Sequence, residues 1–171
     1  MRCARSATSS WLTRLLAAAP LSMLVACSGP PPVQQPFEFS HKRHTEAEVD
    51  CLTCHEKAAD EPHATLPILK ICMKCHKEKQ GKTPEEDVLL EYGKKKEEPP
   101  WVQVNQKPGH VYFSHRAHVG FAEMDCAECH GDMKKVEHAL TETNVGHLTM
   151  RACIACHAKK GVTNDCVTCH K

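Results

Sequence analysis

Five times in this chain, two cysteines with two residues between them are followed directly by histidine. The five runs are Cys51-Leu-Thr-Cys54-His55, Cys72-Met-Lys-Cys75-His76, Cys126-Ala-Glu-Cys129-His130, Cys153-Ile-Ala-Cys156-His157 and Cys166-Val-Thr-Cys169-His170. They take ten of the 12 cysteines and leave Cys3 and Cys27. Paired cysteines have two common explanations. One is disulfide bonding in an exported protein. The other is zinc, and the 17 residues between Cys54 and Cys72 fit a C-x2-C-x15-20-C-x2-C pattern. Neither requires histidine after the second cysteine. With 13 His in 171 residues, five such placements arise by chance at on the order of a few in a million.

C-x-x-C-H is the attachment signature of c-type haem. The two thiols add to the haem vinyl groups as thioethers, and the next histidine is held under the macrocycle as an iron ligand. One short turn presents all three atoms. The motif therefore predicts five covalent haems. Their thioethers come from Cys51, Cys54, Cys72, Cys75, Cys126, Cys129, Cys153, Cys156, Cys166 and Cys169. Their proximal ligands are His55, His76, His130, His157 and His170. Aromatic residues are only 5% of the chain and mean hydropathy is -0.46, so side chains alone cannot fill a core of normal size. The expected fold is mostly irregular, with short α-helices around a haem core and little or no β-sheet. The 22 basic residues balance 21 acidic ones, which argues against nucleic acid as a partner.

The first 26 residues have the form of an export signal. Arg2, Arg5 and Arg14 precede the apolar run Leu15 to Ala26, which is shorter than the ~20 residues a membrane-spanning helix needs. The run ends Leu24-Val25-Ala26-Cys27. This resembles a bacterial lipobox, which implies cleavage before Cys27 and acylation of that residue. The product of 145 residues would sit on the periplasmic side of a bacterial inner or outer membrane. Residues 27–36 continue with four prolines, a semi-rigid tether. Ten ionised propionates would carry the formal charge of the processed chain from -2 to about -12.

An internal repeat precedes two of the motifs. Phe39-Ser40-His41-Lys42-Arg43-His44 stands six residues before Cys51, and Phe113-Ser114-His115-Arg116-Ala117-His118 stands seven before Cys126. Histidines at i and i+3 of a helix point about 60° apart and can reach two different irons. The pattern resembles class III multihaem cytochromes c, above all the small c7-type three-haem domains. In that family the first histidine serves the next haem in sequence and the second reaches another. The resemblance implies His41 for the Cys51/Cys54 haem, His44 for Cys72/Cys75, His115 for Cys126/Cys129 and His118 for Cys153/Cys156. For the last haem it points to the stretch before Cys153, hence Met150, with His147 as the alternative. A Met ligand would make that haem the most readily reduced. His63, His110 and His138 are expected at the surface or near propionates.

Thr83, Pro84 and the acidic run Glu85 to Asp87 predict the start of a short helix, with Gly93 able to end it. The chain thus divides into a two-haem module (37–81), a charged linker (82–109) and a three-haem module (110–171), though haem packing could equally merge them. Residues from Pro100 onward also resemble the pentahaem subunit of the quinol-oxidising alternative complex III. The implied function is electron transfer, not catalysis, with redox-protein donor and acceptor and a membrane quinol-oxidising complex as partners. A multihaem reductase with one open iron position is the competing reading.

Overall fold

The two Phe-Ser-His-x-x-His segments set the local structure of each half. In the computed structural model, which describes residues 31–170, the first opens helix α1 (His41–Glu46). Ser40 is its N-cap, and its hydroxyl accepts a hydrogen bond from the Arg43 N–H at 3.3 Å. In the second copy Ser114 Oγ accepts from Ala117 N at 3.3 Å in the same way. There the chain forms a π-helix, Arg116–Phe121. The physical reason is the extra residue before Cys126. A wider turn absorbs one inserted residue without moving what lies on either side. Both copies end alike, at a residue with positive φ three before the cysteine, Glu48 (60°) and Glu123 (49°).

The remaining elements are short. Helices α2 (Cys51–Cys54), α3 (Leu69–Cys72), α5 (Ala127–His130) and α7 (Cys166–Cys169) are single turns that carry motif cysteines. Two longer helices are α4 (Pro84–Lys95) and α6 (Met150–Lys160), and a 3-10 turn spans Met133–Lys135. No strand occurs among the described residues. The fold is therefore the expected one, short helices in irregular chain. Helix α4 starts at Thr83 and Pro84 as the sequence predicts, but it runs past Gly93 to Lys95 and is closed by Lys96 with φ 57°. Gly93 has another use. A Cβ there would stand 2.8 Å from the Met73 methyl, so glycine lets α4 approach the second motif.

The described residues from 32 to 170 belong to one compact unit. Two seams lace its halves. Along the first, Val33 N donates to Thr141 O (2.9 Å), Ala139 N to Glu38 Oε2 (3.1 Å) and Lys42 N to Val136 O (3.0 Å). Gln35 spans three segments, donating to Leu140 O and Val102 O and accepting from Val102 N. Along the second, His115 N donates to Pro62 O and Arg116 N to Glu61 O, both at 3.0 Å. Gly120 lies so close to this loop that a Cβ would fall 2.2 Å from Ala59 O.

The apolar core is nearly absent. Among the described residues the buried apolar side chains are Ala58, Leu69, Leu89, Pro99 and Ala139. Leu52, Ile154 and Val167, each between the two cysteines of a motif, are exposed. One aromatic cluster, of Phe37, Phe39, Tyr92 and Trp101, joins the N-terminal segment to α4 and the chain after it. The expected leader (residues 1–26) and Cys27 lie outside the described residues. Among those described, no helix is long and apolar enough to cross a membrane.

Candidate functional site

Each repeat aims two imidazoles with one phenylalanine. Phe39 stacks on His44 (4.6 Å, 22°) and meets His41 edge-on (4.9 Å, 86°). Phe113 stacks on His118 (4.5 Å, 23°) and meets His115 edge-on (4.9 Å, 90°). The two rings of each pair are thus held in different directions.

Those directions lead to motif histidines. His44 stands 6.1 Å from His76, His115 stands 6.3 Å from His130, and His118 stands 6.1 Å from His157, ring centre to ring centre. His41 is close enough to His55 to be shifted by its charge. A metal bond to imidazole of about 2 Å, as for zinc, plus about 1.1 Å from nitrogen to ring centre on each side, gives a spacing of about 6 Å. The gaps between these rings match one iron held from two sides.

The far edges of the rings fix which nitrogen is free. His44 Nδ1 donates to Ser40 O (2.8 Å), and His118 Nδ1 to Ser114 O (2.8 Å). His55 Nδ1 donates to Thr65 O (3.2 Å), His157 Nδ1 to Thr163 O (2.6 Å) and His170 Nδ1 to His110 O (3.1 Å). A carbonyl can only accept, so Nδ1 carries the proton and the Nε2 lone pair is left for a metal. Burial, helped by the charges of His55 and His44, lowers the pKa of His41 to about 4. Burial likewise lowers those of His115 and His130. Neutral imidazole is the form that binds iron.

His76 is held differently. Its Nδ1 is buried and lies 3.3 Å from Glu86 Oε1, off the line of a hydrogen bond. Burial opposes the charge on Glu86, but hydrogen bonds from Gln80 N (3.0 Å) and Gly81 N (2.8 Å), with His76 beside it, keep its pKa below the usual range. The His41 Nδ1 is buried without a partner.

The ten motif cysteines are free thiols. Burial raises the pKa of Cys54, Cys72, Cys126, Cys129 and Cys153, so they stay protonated at neutral pH. Among the described residues, no three His, Cys, Asp or Glu side chains converge as they would around a bare metal ion. Donors facing each other across an imidazole-to-imidazole gap, with thiols at its edge and little side-chain core, suit a planar macrocycle. The residues present fit c-type haem.

For the last motif the expected partner was Met150, with His147 as the alternative. Met150 is the first residue of α6, on the same helix as Cys153 and His157, and is 68% exposed. His147 is exposed as well, and its charge is felt by His130. The ring that stands over His170 is that of His110, at 5.6 Å and 17°. The cause lies in the backbone: Tyr112 N donates to Cys169 O at 2.7 Å, which lays residues 110–112 along α7. His110 was expected at the surface or near propionates, and it is exposed. The repeat period is 74 residues, and the position matching His110 in the first copy is Pro36, where the half has no third motif. Of the other unassigned histidines, His63 is exposed, and His138 is exposed with Nδ1 3.3 Å from Glu38 Oε2.

Comparison with known proteins agrees with this geometry. The family model for cytochrome c7 and related cytochrome c matches residues 111–171. The chain is also 35% identical over 162 residues to the multiheme cytochrome c subunit of menaquinone reductase from Nitratidesulfovibrio vulgaris strain Hildenborough. That match covers 81% of this chain and 77% of the relative. The chain therefore belongs to the c7-like multihaem c-type cytochromes.

Proposed function

We propose that this protein carries five haems and conducts electrons along them. It does so from a lipid anchor at Cys27, on the periplasmic side of a bacterial membrane, within a complex that exchanges electrons with the quinone pool. The observation that carries this reading is the set of opposed imidazole pairs, His44 with His76, His115 with His130 and His118 with His157. His41 and His55 form a fourth pair through their proximity. When bound, haem iron supplies a one-electron couple whose potential the axial ligands and surroundings set. The chain's own residues hold ligands on both sides, so no substrate can reach the iron without displacing one. That favours a conductor over a reductase.

The relative's name speaks of menaquinone reduction. We therefore read the direction as electrons delivered towards quinone, the reverse of the quinol oxidation expected from the alternative complex III resemblance.

Mass spectrometry of the exported protein should find five haem additions that survive acid-acetone extraction, and the reduced protein should not bind carbon monoxide. Three or fewer additions would overturn the haem count, and stoichiometric carbon monoxide uptake would favour the reductase. A second measurement tests the anchor. Cys27→Ala should release a soluble protein with an unchanged spectrum. Two or three acyl chains anchor stably where one is marginal, each buried CH2 adding about 0.8 kcal/mol. A variant that stays on the membrane after a salt wash would refute lipidation as the anchor.

A further inference from the structure

We infer that the haem attached at Cys51 and Cys54, and not the one attached at Cys72 and Cys75, joins the two halves of the conducting path. The path then departs from sequence order at its start. This rests on the five-haem reading above and goes beyond it by giving the haems an order. One loop carries the argument. His55 Nδ1, on the proximal imidazole of the first motif, donates to Thr65 O at 3.2 Å. Just before Thr65, Pro62 O accepts from His115 N and Glu61 O from Arg116 N, both at 3.0 Å. Gly120 closes on the same loop, where a Cβ would stand 2.2 Å from Ala59 O. Residues 59–65 thus hold the proximal imidazole of the first motif and the imidazole that faces the third. The thiols meet as well. Cys51 and Cys126, the leading cysteines of these two motifs, are hydrogen-bonding neighbours. A thioether fixes the edge of its macrocycle, so adjacent attachment points bring two macrocycle edges together. Electron tunnelling falls steeply with the gap between such edges.

The second motif is tied to the first and to α4. Lys74, between its cysteines, pairs at 2.8 Å with Glu56, the residue after His55, and helices α2 and α3 pack together. Cys54 lies within electrostatic reach of Cys75. On its other sides stand α1 and α4. His44 faces His76, Glu86 lies 3.3 Å from His76 Nδ1, and Met73 fills the space that Gly93 leaves. The second-motif haem therefore has the first as its neighbour and α4 as its cover, which makes it an end of the line. In the other half, Glu128, between the third-motif cysteines, pairs at 3.7 Å with Lys160 of α6. Cys129 lies within electrostatic reach of Cys153 and Cys156, and Cys153 within reach of Cys169. The order is Cys72/Cys75, Cys51/Cys54, Cys126/Cys129, Cys153/Cys156, Cys166/Cys169. The two copies of the repeat meet through their first haems, and electrons enter and leave at the Cys72/Cys75 and Cys166/Cys169 ends.

The test is a stepwise reduction of the exported holoprotein followed by NMR of the haem methyl signals. Each haem is assigned through its contacts with the residues of its own motif, and loading is checked by peptide mapping. Reducing one haem removes a positive charge and lowers the potential of its neighbours, by an amount that falls with separation. The third-motif haem should respond to the first-motif haem about twofold or more strongly than to the second-motif haem. Gly120→Ala, which must push the 59–65 loop aside, should weaken the first-to-third interaction and leave the first-to-second one in place. A second-to-third interaction as large as the first-to-third would overturn the order. So would a Gly120→Ala protein that loses the first-to-second interaction and keeps the first-to-third. If that variant does not accumulate, the wild-type comparison decides. An empty motif among the first three would sink this inference together with the haem count. An empty fourth or fifth motif would sink the count alone, since the comparison concerns the first three haems.

Discussion

Made in the cytoplasm without its first 26 residues, where its cysteines receive no haem, the chain is expected not to fold. Far-UV circular dichroism should be that of a disordered polypeptide, and amide exchange should show no protected set. The reason is the small buried apolar surface: two leucines, two alanines and one proline among the described residues. A fully buried leucine contributes about 1.5–3 kcal/mol, while ordering each residue costs about 1–2 kcal/mol of backbone entropy. The single-turn helices α2, α3, α5 and α7 cannot persist alone, because a helix of four residues barely covers its own nucleation. Longer α4 has Thr83, Pro84 and an acidic first turn in its favour, so a trace of helix there is consistent with the expectation. A cooperative thermal transition in the haem-free chain would contradict it. The effect is all-or-none, since the macrocycles stand where other proteins put side chains.

A change of potential at one haem should follow Glu86→Gln. Glu86 Oε1 lies 3.3 Å from His76 Nδ1, whereas His55, His157 and His170 direct their Nδ1 protons at neutral backbone carbonyls. A carboxylate behind an axial imidazole strengthens its donation and favours the oxidised, more positive iron. His76 and Glu86 are 19% and 13% exposed, so water screens the charge only in part. Gln80 N and Gly81 N donate to different oxygens of Glu86, so the glutamine keeps an acceptor for one of these amides and loses the charge. The stabilisation at stake is on the order of 1 kcal/mol, about 40 mV for a one-electron couple. The haem at Cys72 and Cys75 is therefore expected to have the lowest potential of the set, and Glu86→Gln should raise that one component of a spectroscopic redox titration. An unchanged titration, or a shift shared evenly by all components, would count against the role given to Glu86.

Much of the site can be read from short-range pattern. The motif fixes cysteine and histidine on one turn, and Phe-Ser-His-x-x-His carries its own cap and its own orienting ring, so Ser40 and Ser114 do the same work in both halves. Even the one-residue difference between the copies is visible, although its form as a π-helix is not. What the sequence hides depends on contacts between distant segments. The carbonyl of His110 meets His170 from 60 residues away, and no local pattern marks it. Glu86 looks like a helix-start acid, and it is one. Its second contact, to His76, depends on the loop of Gln80 and Gly81 folding back. Gly93 illustrates a third limit. The residue suits a helix end, yet here it clears room for Met73 inside the helix.

The first seam bears on the order of assembly. Glu38 holds Ala139 and Gln35 holds Leu140, partners 101 and 105 residues away. A polypeptide is made from its N-terminus, so these bonds cannot close until four-fifths of the chain exists. The His115 contact with Pro62 waits almost as long. Until then the turns at Cys51 and Cys72 have no neighbours from the second half, and their thiols stay open to whatever attaches haem. Closure comes last, as the partners of residues 33–42 arrive. A late-closing segment of this kind gives the attachment machinery time to work before the protein seals its own substrate sites.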